Sequence, residues 1–177
     1  MNICVYCASS ANIDTIYIEA ATQLGRLFAE NKITCINGAG KQGLMGALNN
    51  SILQYGGKVL GIIPQFMVDN DWCHNALSET IVTETMHERK ALMASKADAI
   101  IALPGGMGTL EELTEIITWH QIGLYKKRII ILNINGYYNP LLTFFDKMID
   151  EKFMPAASRS AWQVVKSVEE VIKTLNS

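Results

Sequence analysis

The chain has 177 residues, of which 49% are hydrophobic and 18% charged, and its formal net charge is −2. These values are typical of one globular domain with a sizeable core, so we expect a single domain over 1–177, and the slightly acidic balance argues against nucleic acid or an acidic membrane as a partner. No apolar run is long enough to span a bilayer and the first residues lack the pattern of a signal peptide, so we expect a cytoplasmic protein.

Patterns typical of strands and helices alternate along the chain. Short apolar runs predict strands at 3–8, 32–37, 58–64, 78–82, 98–103, 127–133 and 161–165. Apolar residues at helical spacing predict helices at 14–30 (with Asp14 as the N-cap), 44–54, 86–97, 109–122, 140–151 and 168–175. The polar segment 65–77 is predicted to be irregular and to overhang a site. This alternation predicts an α/β fold, a doubly wound parallel sheet with helices on both faces.

The four cysteines are predicted to be small buried residues rather than zinc ligands or a redox pair. Cys4 and Cys7 lie three residues apart in a predicted strand, which places their side chains on opposite faces of it. Because the chain has only three histidines and no metal-ligand spacing, we expect no metal.

A first glycine turn, Gly38-Ala39-Gly40-Lys41-Gln42-Gly43, follows the second predicted strand and opens a helix. Its spacing matches the dinucleotide fingerprint, but no acidic residue lies between Lys41 and Val68 to hold a ribose hydroxyl. A second phosphate-facing turn or a packing turn is therefore favoured over an NAD site.

A second glycine turn lies in the stretch Leu103–Glu115, between a predicted buried strand and a helix. Gly105, Gly106 and Gly108 let the backbone approach a ligand, and the unpaired N–H groups of a first helical turn attract anions. Thr109 can either cap the helix or offer its hydroxyl to a phosphate. The acids that follow, Glu111, Glu112 and Glu115, suggest chemistry on a phosphorylated molecule, although Thr109 and Glu112 also fit a capping box.

The segment Met86-His87-Glu88-Arg89-Lys90 is the other informative motif. Arg89 could hold a phosphate or sugar, or lower the pKa of a nearby carboxyl, and the alternative is a solvated helix face. Ligands in open parallel sheets bind beyond the carboxyl ends of the strands, so we expect both glycine turns to open on one cleft.

Together, Met86–Lys90 and the turn Pro104-Gly-Gly-Met-Gly-Thr-Leu-Glu-Glu112 resemble the signature of the LONELY GUY (LOG) family, whose members are often labelled "possible lysine decarboxylase". The resemblance covers nearly the whole chain. It implies a homodimeric, Rossmann-like phosphoribohydrolase without a cofactor. Such an enzyme cleaves the N-glycosidic bond of a cytokinin riboside 5′-monophosphate or of AMP, giving free base and ribose 5-phosphate.

The resemblance also implies which residues form the site. By position, the catalytic pair falls on Arg89 and Glu112. The implied substrate contacts are Asp71, Met86, Lys90, Gly105, Gly106, Met107, Gly108, Thr109, Leu110, Glu111, Glu115 and Thr118. This chain departs from the family pattern in having Asn37-Gly38-Ala39-Gly40 for the usual Tyr-Gly-Gly-Gly, Asp71 for Glu, and Met107 within the second glycine turn. These departures leave the hydrolytic centre intact and bear on base preference.

The resulting hypothesis is that the turn at 105–109 anchors the 5′-phosphate while Glu112 stabilises an oxocarbenium-like state and activates water. Arg89 would hold the sugar phosphate and keep Glu112 ionised, and Glu115 would support Glu112 from the next helical turn. Two alternatives stay open. One is a non-catalytic nucleotide or molybdenum-cofactor carrier, and the other is a decarboxylase, which would need pyridoxal phosphate on a lysine that the sequence does not single out.

Overall fold

One seven-stranded parallel sheet organises the computed structural model, which describes residues 1–177. The strands are β1 Asn2–Tyr6, β2 Thr34–Asn37, β3 Lys58–Pro64, β4 Glu79–Thr83, β5 Ala99–Ala102, β6 Arg128–Leu132 and β7 Gln163–Val165. Their spatial order is β4-β3-β2-β1-β5-β6-β7, and every neighbouring pair is parallel. The predicted α/β fold with a doubly wound parallel sheet is confirmed.

Six α-helices connect the seven strands, and a seventh follows the last strand. They are α1 Thr15–Glu30, α2 Gly43–Gln54, α3 Gln65–Asp69, α4 Met86–Lys96, α5 Met107–Gln121, α6 Asn139–Asp150 and α7 Val168–Leu175. Asp14 caps α1 as predicted, because its side chain accepts a hydrogen bond from the amide of Ile16. The predicted irregular segment at 65–77 instead begins with α3, whose five residues are too few to show a helical repeat in the sequence. None of the helices is both long and apolar enough to cross a membrane.

Two apolar cores lie on the two faces of the sheet. One core packs α1, α2 and α7 through residues such as Phe28, Leu48 and Val171, and the other packs α4, α5 and α6 through Met93, Ile116 and Phe145. Cys7, just after β1, belongs to the first core and Cys4 to the second, which confirms that their side chains lie on opposite faces of the sheet. The inner strands β1, β2, β5 and β6 are buried on both faces along most of their length, which explains their apolar runs, whereas the edge strands β4 and β7 are largely exposed.

The strand order reverses beside β1, which pairs with β2 on one side and with β5 on the other. The loops that leave the carboxyl ends of β1 and β5 run together for a short distance: the amide of Leu103 donates to the carbonyl of Tyr6 and that of Ala8 to the carbonyl of Pro104. The chain then diverges onto opposite faces of the sheet, which opens a crevice at this edge.

Candidate active site

Two adjoining cavities of about 360 and 290 Å³ form a cleft at the carboxyl edge of the sheet. The larger one is lined by the second glycine turn together with Met86 and Glu112, and the smaller one by the first glycine turn. The walls that the two cavities share are formed by Ser9, Met45, Met67 and Arg89. Both glycine turns therefore open on one cleft, as predicted. A depression of about 490 Å³ at the opposite edge of the sheet contains none of the predicted site residues.

Arg89 reaches the cleft from the first turn of α4. Thr85 caps this helix by accepting a hydrogen bond from the amide of Glu88, whose carboxylate in turn accepts one from the amide of Glu84. This arrangement is a variant of the capping box, in which the glutamate bonds to the residue before the N-cap, and it fixes the direction in which α4 starts. Glu88 is exposed whereas Arg89 is buried, so the predicted alternative of a solvated helix face applies to Glu88 but not to Arg89.

The guanidinium of Arg89 is buried without a close oxygen acceptor. The residue is 6% exposed, and its Nη2 lies 3.9 Å from Oε1 of Glu112. Its Nη1 lies 3.4 Å from the sulfur of Met67 and 3.7 Å from that of Met86, and its Nε has no hydrogen-bond partner. Thioethers are weak acceptors. A buried cation with so many unused donors is suited to binding an anionic or hydroxyl-rich ligand.

Gly38 allows the guanidinium to take this position. A Cβ atom built on Gly38 would overlap Nη2 of Arg89, so a larger residue would displace the side chain. The turn itself is held by Asn37, which accepts a hydrogen bond from the amide of Ala39 at 2.9 Å and donates one to the side chain of Asn49 at 2.6 Å. Ala39 has φ 60°, in the left-handed region that favours glycine. Asn37 thus fixes the start of the turn through its two side-chain hydrogen bonds.

Glu112 lies on the second turn of α5 and faces Arg89 across the cleft. The residue is 9% exposed. Burial raises the pKa of its carboxyl to about 7, while the charge of Arg89 lowers that pKa and the charge of Glu111 raises it. Arg89 therefore acts in the predicted direction, but burial outweighs it. A carboxyl with a pKa near neutrality, in a cleft, is typical of groups that exchange protons in catalysis.

The second glycine turn differs from the prediction in where the helix begins. Helix α5 starts at Met107 with Gly106 as the N-cap, so of the two roles considered for Thr109 the capping role is wrong. The chain turns into the helix earlier because the extended Gly106 already accepts the first bond, from the amide of Leu110. Thr109 is instead buried beneath the turn, where a Cβ on Gly105 would overlap its hydroxyl. Met107 and Gly108, which carry the first N–H groups of α5, line the cleft.

Two tyrosines that the sequence analysis did not single out support this turn. The hydroxyl of Tyr137 donates to the carbonyl of Gly105 at 2.7 Å, and that of Tyr138 donates to the carbonyl of Leu103 at 2.6 Å. Both follow the carboxyl end of β6, the strand beside β5. Their place after a strand end, next to Gly136, is the signal that could have identified them.

Lys90, Glu111 and Glu115 form an ion-paired group that joins α4 to α5. The buried ammonium of Lys90 bonds to Glu111 and lies 3.1 Å from Glu115. Burial lowers the pKa of Lys90, but the bonds to the two carboxylates outweigh burial and the pKa lies above its usual value. The charges of these three predicted substrate contacts therefore neutralise one another. Glu112 is the buried carboxylate that has no cation within hydrogen-bond distance, since Arg89 lies 3.9 Å away.

The other predicted substrate contacts divide into two groups. Those that line the cleft are Met86, Gly106, Met107, Gly108, Thr109 and Glu111. Gly105 and Leu110 belong to the second glycine turn but do not line the cleft. Asp71 pairs with Lys41 at the rim of the cleft. Thr118 lies farther along α5, where its hydroxyl donates to the carbonyl of Thr114. The cleft also contains residues that were not predicted, among them Ser9, Met45 and Met67.

The chain that forms this cleft is similar in sequence to proteins of one known family. The family model described as "Possible lysine decarboxylase" matches residues 45–175. The chain is 43% identical over 173 residues to the cytokinin riboside 5′-monophosphate phosphoribohydrolase LOG7 of Arabidopsis thaliana, covering 98% of this chain and 80% of that protein. It is 42% identical over 177 residues to LOG2 of the same plant, covering 96% and 83%.

Solved structures share the fold at lower identity. The molybdenum cofactor carrier protein of Chlamydomonas reinhardtii has a TM-score of 0.76 at 19% identity, covering 99% of this chain and 95% of that one. The molybdenum cofactor binding protein of Rippkaea orientalis has a TM-score of 0.73 at 22% identity, covering 99% and 97%. These two likenesses concern the fold alone. The identity to the plant proteins extends over nearly the whole chain and shows the family as well as the fold. The family described as "possible lysine decarboxylase" corresponds to the LOG phosphoribohydrolases, and the protein belongs to this family.

Proposed function

We propose that this protein hydrolyses the N-glycosidic bond of a nucleoside 5′-monophosphate, a cytokinin riboside 5′-monophosphate or AMP, to free base and ribose 5-phosphate. The observation that carries this proposal is the buried pair of Arg89 and Glu112, held 3.9 Å apart beside a helix N-terminus. A single cleft then offers an anion site, a cation with unused donors, and a carboxyl group with a pKa of about 7. These are the groups that cleavage of a ribosyl phosphate requires.

The reaction follows from where these groups lie. The first amides of α5, at Met107 and Gly108, bind the 5′-phosphate and fix the ribose between Arg89 and Glu112. As the bond between the anomeric carbon and the base nitrogen breaks, the electron pair leaves with the base and the ionised Glu112 stabilises the positive charge on the sugar. A water molecule adds to the anomeric carbon and gives a proton to Glu112. The departing base takes up one proton from solvent, and Glu112 releases the proton of the water to solvent, which balances the reaction and restores the carboxylate.

The decarboxylase alternative conflicts with the surroundings of the lysines. Lys90 is the only buried lysine, and it is paired with Glu111 and Glu115. Its pKa lies above the usual value. A lysine that forms a Schiff base needs the opposite environment, one that lowers its pKa and frees the amine. The carrier alternative rests only on a shared fold at 19–22% identity, and the comparisons do not favour it.

The homodimer and the cytoplasmic location belong to the same proposal. Ile122 and Leu124 are large apolar side chains exposed just after α5, and a second copy of the chain could cover them. Light scattering on the purified protein tests this assembly.

All four cysteines are free, and three of them are buried, which fits a reducing compartment.

Chromatography of the reaction products tests the activity directly. Purified protein is incubated with AMP and with N6-isopentenyladenosine monophosphate, beside the variants Glu112→Gln and Arg89→Ala. We expect the wild type to release free base and ribose 5-phosphate and both variants to lose about 100-fold or more in kcat/KM. Equal activity of Glu112→Gln would overturn the assigned role of Glu112. Binding of both nucleotides by the wild type without release of base would favour the carrier.

A further inference from the structure

The smaller cavity of the cleft has apolar walls and an exposed aromatic side chain at its rim. Ile63, Met67 and Trp72 line it, and Arg89 forms the boundary with the larger cavity. Trp72 is 52% exposed, although an indole is among the side chains that most favour burial. The cavity therefore presents a large flat apolar surface to whatever enters it from the side of Arg89.

Backbone contacts hold Trp72 in place from two sides. Its amide donates to the carbonyl of Met67 at 3.1 Å, and its carbonyl accepts from the amide of Lys41 at 3.2 Å. The next residue, Cys73, forms an antiparallel bridge with Gly40. Residues 70–74, which we call the Trp72 strap, are thus joined both to the segment of α3 and to the first glycine turn. The indole is presented on a fixed backbone rather than on a free loop.

The charges around the smaller cavity argue against a second phosphate. Its lining includes two cations, Lys41 and Arg89. The ammonium of Lys41 lies 2.6 Å from the carboxylate of Asp71, in the Trp72 strap, and is neutralised by it. Arg89 faces Glu112 and the larger cavity. A flat, uncharged ring fits this site better than an anion does.

We propose that Trp72 is a specificity-determining residue whose indole stacks on the base of the nucleotide. This inference rests on the proposed function, because it assumes that the phosphate binds at the start of α5 and the ribose beside Arg89. The base of such a nucleotide extends past Arg89 into the smaller cavity. Met67 and Ile63 then contact the other surfaces of the ring, and the flexible thioether adapts to substituents on it. Trp72 therefore selects ligands that carry a base.

Steady-state kinetics with Trp72→Ala and Trp72→Phe test the proposal. We expect Trp72→Ala to raise KM for AMP about 5- to 100-fold with kcat little changed, and Trp72→Phe to restore most of the affinity. Ribose 5-phosphate, which has no base, should inhibit all three proteins equally. Tyr55→Ala is the matched control, because Tyr55 is also 52% exposed but does not line the cleft. An unchanged KM in Trp72→Ala, or an equal loss of affinity for ribose 5-phosphate, would overturn the proposal.

Fluorescence separates this inference from the proposed function. The chain has three tryptophans, and replacing Trp119 and Trp162 by phenylalanine leaves Trp72 as the single indole. We expect AMP to quench its emission and ribose 5-phosphate to leave it unchanged, whether or not the protein turns AMP over. If the protein releases no base but AMP quenches its emission, the stacking site is supported and the proposed hydrolase activity is overturned. If the enzyme is active but its emission does not respond to AMP, only the stacking proposal is overturned.

Discussion

The Nη2 atom of Arg89 lies 3.9 Å from Oε1 of Glu112, and both side chains are buried. The separation is too long for a hydrogen bond, so the two groups attract each other while their donors and acceptors stay available to a third molecule. Truncating Arg89 would leave the carboxylate of Glu112 buried without its cation, at a cost of about 3–5 kcal/mol in stability. Variants that keep the shape of the side chain are therefore the most informative.

The activity should rise with pH through about 7. The pKa of the Glu112 carboxyl is raised to about 7 because the residue is buried, and the mechanism uses the ionised form. Below that pH the group is protonated, so kcat/KM should fall about tenfold per pH unit. Because the phosphate of the substrate titrates near pH 6, Glu112→Gln is the control: its residual activity should lack the step near 7. A wild-type profile that is flat between pH 5 and pH 9 would contradict this role.

The same raised pKa predicts how stability depends on pH. Since the folded protein holds Glu112 at a pKa of about 7 against an ordinary 4.5, its contribution to stability is complete below about pH 4.5 and is lost as the pH rises through 7. Glu112→Gln should match the wild type at about pH 4 and exceed it at pH 9 by up to about 3 kcal/mol. Urea unfolding at the two pH values measures this, with the exposed Glu79→Gln as control. A difference that is the same at both pH values would refute it.

Gly38→Ala should impair catalysis by displacing Arg89. The added methyl group would overlap Nη2 of Arg89, so the guanidinium must move away from Glu112. We expect a loss of about tenfold or more in kcat/KM, since small displacements of positioning groups are costly. A double-mutant cycle checks the cause: in an Arg89→Ala background, Gly38→Ala should cost little further activity. Additive losses would mean that Gly38 acts independently of Arg89.

Gly108→Ala should weaken substrate binding without lowering the stability of the protein. A Cβ on Gly108 would meet no atom within 4 Å, and alanine favours a helix, so the melting temperature should stay the same or rise slightly. If the turn binds the 5′-phosphate through close backbone approach, KM for AMP should rise nonetheless. Calorimetry and kinetics on the same preparation measure both effects. Unchanged KM would place the phosphate elsewhere in the cleft.

Much of the fold followed from local patterns, because periodicity reports which faces of a segment are buried. Strand β3 at Lys58–Pro64 and helix α7 at Val168–Leu175 have the predicted bounds, since apolar runs and turn residues mark both of their ends. The start of α5 and the presence of α3 were missed, because a five-residue helix and a glycine N-cap leave little trace in a periodic pattern.

The sequence by itself therefore determined the α/β class, the two glycine turns, and the family to which the Arg89 and Glu112 motifs belong. Only the tertiary structure decided what these residues can do. The capping box directs Arg89 inward while Glu88 stays exposed, and Lys90 pairs with Glu111 and Glu115 but not with Glu112. The pKa of Glu112 and the position of Trp72 follow from burial and from contacts between segments distant in the chain. Local periodicity carries no information about such contacts, because they form only when the helices pack on the sheet.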